Sequence, residues 1–432
     1  MKKCTIAMLV VFCATAFFVA CGGKGSTPKI SGLPQRVLAS QGVTNVGNFG
    51  GLFIINGQND TLPRGVAPLS AGTNPGLMAV SPTLNVAATF DSASNTVFAV
   101  DTTKESSIGR VPLPGPTSSF VIPTSSATGF AAVPTATVNG LAYLGAIVSM
   151  NFTTGGSSAI AVNSAQTVVA NSDGSQLLVF SADSNSVTVL NPGNAAPPID
   201  TSCYYGANPV CTIVPGFDRP VFAVVKDNTA YILNCGPQCG GTQASVMYFD
   251  LATLTITKTI PVPAATMALL NATTLYVAGT PTTNNACSGQ TTAAKTCGRL
   301  SVIDLVAGKV VGSPAVITDG YHTRMDLNAI GQLFVGSHDC TNIGNVNNPS
   351  GEVRGCLSIY KLADGSVFIP PDNGNVDGLQ GFTTRQIEYV AEGGNLRVYD
   401  VTKDILLIND FLPQGTINIV GYVGDVKAID FF

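Results

Sequence analysis

The residues best equipped for chemistry lie in one stretch, Asp319-Gly320-Tyr321-His322-Thr323-Arg324-Met325-Asp326, the densest titratable run of the chain. Read as a strand, it projects alternate side chains to one side. His322, Arg324 and Asp326 would then converge, with Asp319 at the approach, and such a set could hold an anion or act as acid and base. The plainer reading, which is preferred, is a salt-bridge network between neighbouring elements, to which Asp218, Arg219 and Arg385 also belong. His338-Asp339 sits beside Cys340 in a loop-like segment and is expected to be solvated.

Other catalytic and cofactor chemistry finds few carriers. The chain has 2 His, so a His-rich metal site is excluded, and calcium bound through Asp and backbone oxygens has no supporting pattern. No C-x-x-C-H for haem attachment occurs, nor a G-x-S-x-G, Walker or strand–helix G-x-G-x-x-G motif. No catalytic residue, metal or cofactor is therefore assigned. The net charge is −4 with no basic block, which argues against nucleic acid, since that partner needs a cationic stripe to release counterions.

The cysteines speak about compartment. Of 11, Cys4 and Cys13 fall in the N-terminal leader and Cys21 directly follows it. The other eight form four close pairs in Gly/Asn/Thr-rich stretches, predicting the disulfides Cys203–Cys211, Cys235–Cys239, Cys287–Cys297 and Cys340–Cys356. Zinc would want C-x₂-C spacings, often with His, and these spacings are irregular. Local disulfides require an oxidising compartment.

The start of the chain agrees. Lys2 and Lys3 precede an apolar run from Ile6 to Ala20, shorter than the roughly 20 residues that span a bilayer, so a signal peptide over residues 1–20 is expected. The run closes on Phe18-Val19-Ala20-Cys21, followed by Gly22-Gly23-Lys24-Gly25-Ser26-Thr27-Pro28. This resembles a lipoprotein signal. The resemblance implies acylation of Cys21, a flexible tether over residues 21–34, and a membrane-anchored protein of the cell envelope, in the outer membrane, the periplasm or at the surface. The alternative is an ordinary secretory signal with Cys21 merely nearby.

The elements that must position these residues follow from composition and repetition. Charged residues are 11%, Gly numbers 46 and Trp is absent, and no stretch carries a convincing helical stripe, so the mature chain reads as all-β. A unit recurs: a short apolar strand, a polar loop, then a second strand ending in Asp or Asn. Its clearest copies are Thr274–Gly279 with Arg299–Leu305 and Glu388–Ala391 with Asn395–Val401. Further pairs are Arg36–Ser40 with Leu52–Asn56, Val86–Asp91 with Thr96–Asp101, Phe130–Pro134 with Ala146–Phe152, Leu177–Ser181 with Val187–Asn191, Ala230–Asn234 with Val246–Leu251, and Leu333–Ser337 with Leu357–Leu362.

About eight units at this spacing predict one β-propeller of four-stranded blades over residues 35–432. Seven is the alternative count, because the unit at 119–165 departs from the pattern. The first unit lacks an innermost strand and the chain ends in a lone strand, Val426–Phe432. Placed innermost in the first blade, that strand closes the ring.

Leu275-Tyr276-Val277-Ala278, Ser301-Val302-Ile303-Asp304 and Thr259-Ile260-Pro261-Val262 resemble the YVTN family of propeller repeats of exported bacterial and archaeal surface proteins. The resemblance implies the WD40-like propeller fold and leaves function open. The absence of Trp speaks against the quinoprotein dehydrogenases, which resemble this fold but carry Trp docking motifs. Three predicted disulfide loops join second to third strands and so share one face, giving either a rigid binding surface or protease-resistant loops. Two functions remain: a non-enzymatic module binding a protein, glycan or small ligand, or a lactonase-like hydrolase in the central channel. Convergent carboxylates and His would mark the hydrolase; a channel of Thr, Ser and apolar residues would not.

Overall fold

The computed structural model describes residues 30–43, 50–138, 141–192, 203, 210–287, 293, 295–343, 352–371 and 374–431, with residues 137, 138 and 141–143 as backbone only. The leader and Cys21 lie outside them. Residues Leu33–Phe432 form one compact unit.

Eight antiparallel sheets form the ring, and in seven of them, consecutive along the chain, the first strand is innermost. Blade 2 spans residues 75–112, blade 3 119–161, blade 4 165–215, blade 5 220–261, blade 6 267–317, blade 7 321–368 and blade 8 376–417. Blade 1 takes three strands from residues 36–70 and its innermost strand, Tyr422–Ala428, from the end of the chain. Each innermost strand touches those of both neighbouring blades, so the ring is closed. The structure is an eight-bladed β-propeller.

The repeat is a pair of central blade strands, and the register agrees with the sequence. Arg36 lies opposite Asn56 and Ser40 opposite Leu52, Val86 opposite Asp101, and Thr274 opposite Asp304. The terminal Asp or Asn earns its place in the next turn: the carboxylate oxygen of Asp250 accepts from the amides of Ala252 and Thr253 at 2.9 and 2.8 Å. Asp304 and Asn151 cap their own turns in the same way, a local acceptor that spares two amides from needing a strand partner.

The strands lack a polar side because each blade is packed on both faces. In the second strand of blade 6, Leu275 and Val277 join the cluster against blade 5, while Tyr276 and Ala278 join the cluster against blade 7. Every blade seam carries such a cluster, and their burial is the main term holding the ring together.

Three expectations are refined. The count is eight, because residues 119–161 form a complete blade, disguised by the hairpin Ala136–Val138 and Leu141–Tyr143 inserted between its second and third strands. The outer position of blades 6 and 8 is filled by two short strands each. The closing strand runs Tyr422–Ala428 rather than from Val426 onward, because Ile429 and Asp430 turn to meet Arg36.

Candidate functional site

All four cysteine pairs are disulfides: Cys203–Cys211, Cys235–Cys239, Cys287–Cys297 and Cys340–Cys356. The last three lie in the second-to-third-strand loops of blades 5, 6 and 7, on one face of the ring. The first lies between the third and fourth strands of blade 4, on the other face. Four disulfides place the chain in an oxidising, exported environment. Among the described residues no helix is long and apolar enough to cross a membrane.

The three neighbouring disulfide loops are tied into one rim. Asp319, in the link between blades 6 and 7, is 5% exposed. Its carboxylate accepts from Thr296 Oγ1 at 2.7 Å in the blade 6 loop, and from Thr341 N and Oγ1 at 2.7 and 2.6 Å in the blade 7 loop. Burial opposes the charge on Asp319, but these hydrogen bonds and the Arg354 guanidinium outweigh it and hold the carboxyl below its ordinary range. Arg354 is wholly buried and donates to Thr296 O at 3.2 Å and toward Cys297 Sγ at 2.9 Å. It lies 3.6 Å from Asp319 and 3.8 Å from Glu352. From blade 5, Gln238 accepts from Thr280 N at 3.0 Å and reaches Gly320 O at 3.4 Å, while Thr280 Oγ1 donates to Gly320 O at 2.8 Å.

The innermost strands enclose a channel of about 440 Å³ lined from all eight blades. Its walls are mainly apolar or uncharged, among them Met78, Ser119, Phe120, Thr167, Phe222, Thr266, Met267, Thr323 and Leu379. The charged groups there are engaged. Arg324 Nε donates to Asp377 O at 2.6 Å and its Nη1 to Thr323 O at 3.1 Å. Asp425 accepts from Met78 N and from Lys427 Nζ, each at 2.9 Å.

The expected convergence of His322, Arg324 and Asp326 is not what the structure shows. A register irregularity between His322 and Arg324 breaks the alternation, so Tyr321 through Met325 all border the channel while Asp326 turns away. His322 is fully buried, its Nε2 3.1 Å from Thr318 O and its Nδ1 without a hydrogen-bond partner. Burial drives its pKa down to about 4. Asp326 accepts from the amides of Leu327 and Gly381, at the seam with blade 8. There it faces Glu388, which is fully buried while Asp326 is partly so; burial first, then the nearby Asp326, push the Glu388 carboxyl well above its ordinary range. Asp319 belongs to the rim instead.

The wider network also separates. Arg385 makes a two-pronged pair with Asp60 at 2.6 and 2.7 Å, across the seam of blades 8 and 1. Asp218 is spent on Thr242 and Gln243 in the blade 5 loop. Arg219 lies 3.3 Å from Asp183.

Sequence reading missed two groups at the rim. His338 is not simply solvated: its Nε2 is 3.2 Å from Asp377 Oδ1 and 3.0 Å from Val376 O, and Tyr422 donates to Asp377 at 2.6 Å. The phenol of Tyr422 is pushed well above its ordinary range, by burial first and then by that carboxylate. The second is a pocket of about 280 Å³ between blades 4 and 5, lined by Phe180, Asp183, Arg219, Val221, Cys239 and Tyr321 among others, which opens toward the channel mouth. Both groups join residues of different blades, and the positive φ of Arg219 (57°) and Asp183 (55°) leaves no sequence mark of the kind Gly gives.

The fold and the rim define the class: a disulfide-braced, eight-bladed propeller with a ring-mouth pocket. No protein-family model matches the chain, and no curated protein is similar to it in sequence. Among solved structures it is similar to the dihydro-heme d1 dehydrogenase NirN in complex with DHE, with TM-score 0.58 and 13% identity over 92% of this chain and 75% of that one. It is also similar to a putative 6-phosphogluconolactonase from Bacteroides fragilis, with TM-score 0.48 and 9% identity over 93% and 100%. A third is the Pan2 WD40 domain of Neurospora crassa, with TM-score 0.46 and 12% identity over 74% and 86%. What is shared at these identities is the propeller architecture.

Proposed function

We propose that this protein is a cell-envelope lipoprotein, anchored through Cys21, whose propeller binds a ligand at the disulfide-braced face rather than transforming one in its channel. The observation that carries the reading is the rim. The described residues of three consecutive disulfide loops are joined through Asp319, Arg354, Gln238 and Thr280 into one hydrogen-bonded surface at the mouth. A surface ordered before its ligand arrives spares the ligand that ordering cost, which is where binding proteins gain affinity. The channel supports the same side, since its walls are apolar or Ser/Thr-rich and its charges already have protein partners.

The anchor is compatible with this face being the working one. The ring receives its first strand at Arg36, beside Asp430, on the face opposite the three braced loops. The rim is therefore remote from the point where a tether would join. The YVTN-like repeats, which resemble those of exported surface proteins, support the same address.

Two measurements test the proposal. Intact mass of the protein from its native membrane should show an acylated Cys21 and four disulfides, and the Cys21→Ser variant should leave the membrane fraction. Hydrogen exchange of the mature chain against a library of small molecules and glycans should show protection at residues 235–243, 319–321 and 338–341 with at least one class of compound. Turnover of a lactone or other substrate, lost on Arg324→Gln, would replace the binding reading with a hydrolytic one. Protection only at outer strands would move the site elsewhere.

A further inference from the structure

The pocket between blades 4 and 5 has the chemistry of a carboxylate receptor. It rests on the binding function proposed above and names the ligand class. Of the residues lining it, Arg219 is the sole cation and Asp183 the sole anion. Arg219 uses one of its guanidinium nitrogens on Asp183 at 3.3 Å, and Asp183 is a poor competitor because its side chain is 89% exposed. Such an ion pair is screened by water and contributes little. The remaining donors of Arg219 have no protein partner among the described residues, and a planar guanidinium takes a carboxylate through two parallel hydrogen bonds.

The backbone holds this arginine where chain preference would not. A residue before proline is ordinarily extended, yet Arg219, preceding Pro220, has φ of 57°. Three contacts impose that geometry. Arg219 N donates to Asn185 Oδ1 at 3.2 Å, and Arg219 O accepts from Cys235 N at 2.9 Å. Asp218 is locked to Thr242 and Gln243. The Cys235–Cys239 disulfide thus closes the loop that fixes Arg219, and Cys239 lines the pocket itself. Strain maintained by several independent contacts is a mark of a positioned functional group.

The rest of the pocket sets the ligand's body. Ala182 and Val221 give an apolar wall, and Tyr321, 40% exposed, stands at the opening shared with the channel. At about 280 Å³ the space lies at the low end for small-molecule sites, enough for a ring-sized group. One cation favours a monoanion, because a second negative charge would be desolvated without a partner. We infer that this pocket binds a small monocarboxylate with a flat apolar body, its carboxylate on Arg219 and its body between Ala182, Val221 and Tyr321.

The test is calorimetric titration of the mature chain with benzoate, phenylacetate, benzamide and inorganic phosphate. The arylcarboxylates should bind saturably, and benzamide and phosphate at least about tenfold more weakly. Arg219→Gln, checked for an unchanged melting temperature, should weaken benzoate about tenfold or more. Asp183→Asn should tighten it about two- to fivefold, because it removes a carboxylate that repels the ligand's own and shares the guanidinium weakly; a structural role for the pair gives no such gain. Equal binding of benzamide, tighter binding of phosphate, or an Asp183→Asn variant that binds benzoate no better than wild type would overturn the assignment. Should no arylcarboxylate bind at millimolar concentration, the ligand class falls while the binding rim stands on its own exchange experiment. If exchange finds no compound that protects the rim, that proposal falls as well.

Discussion

His322 and Glu388 carry the sharpest pH consequences, and they act in opposite windows. The folded state lowers the His322 pKa from 6.5 to about 4. Its contribution is therefore present above pH 6.5 and is lost as pH falls toward 4, a loss on the order of 3 kcal/mol at most. Glu388 runs the other way. Its folded pKa is raised well above the ordinary 4.5, so its stabilising effect is complete below that value and declines as pH rises. The decline is about 1.4 kcal/mol per pH unit until the folded pKa is reached. Melting temperature measured from pH 4 to 9 should pass through a maximum. His322→Gln should flatten the acid limb and Glu388→Gln the alkaline limb, whatever each does to the absolute value. An unchanged alkaline slope in Glu388→Gln would show that the carboxyl is not the group being titrated. Glu388 was legible as a strand residue and illegible as a buried acid, because what buries it is Asp326 and Gly381 from other strands. His338 shows the same limit: its partner Asp377 lies on another blade.

At the scale of elements, Arg354 decides whether two loops behave as one. It is fully buried between the blade 6 and blade 7 disulfide loops, with Asp319 and Glu352 beside it. Removing the cation leaves two buried acids without their countercharge, so Arg354→Met should destabilise by about 3–5 kcal/mol. Denaturant unfolding would measure this. A loss no larger than that of the Cys340→Ser/Cys356→Ser variant, about 3 kcal/mol for a loop of that length, would mean the disulfide alone holds the rim. The disulfide pairs and strand pairs were legible because each is local: the cysteines sit 4 to 16 residues apart, and each blade's central strands are neighbours in sequence. The inserted hairpin of blade 3 was not, since Ala136-Thr137-Val138 and Leu141-Ala142-Tyr143 repeat the apolar signature of the strands they separate. Nor was the register irregularity at His322–Arg324, which leaves no residue-type signal and moved Asp326 out of the channel.

Closure of the whole ring rests on one seam, and that seam is the place where it should fail. Val37 lies opposite Ala428 and Ser40 opposite Asp425, so the two ends of the chain share one blade. Beyond the last pair, Arg36 holds Asp430 through its backbone amide at 2.7 Å and through its guanidinium at 2.8 and 2.9 Å. The same guanidinium crosses to blade 2, to Glu105 at 2.9 Å and Thr102 O at 2.6 Å. Deleting residues 422–432 would bare the edge of Arg36–Gly42 and would strip Val423 and Val426 from the apolar cluster they share with Val37, Ala39 and Ile55, and an unpaired apolar edge is a template for association. The expected product is aggregated or oligomeric by size-exclusion chromatography, without the single cooperative transition of the intact chain. A permuted chain separates closure from mere truncation. Joining residue 431 to residue 33 through a short linker and opening the connection at 113–118, between blades 2 and 3, keeps every blade covalently whole. That protein should remain monomeric with a near-native melting temperature, and the amides of Val37–Gln41 should exchange no faster than those of Val86–Asp91. A soluble, cooperative deletion variant would show that seven blades and a partial eighth suffice, and that the strand from Tyr422 is an accessory to the ring rather than its lock.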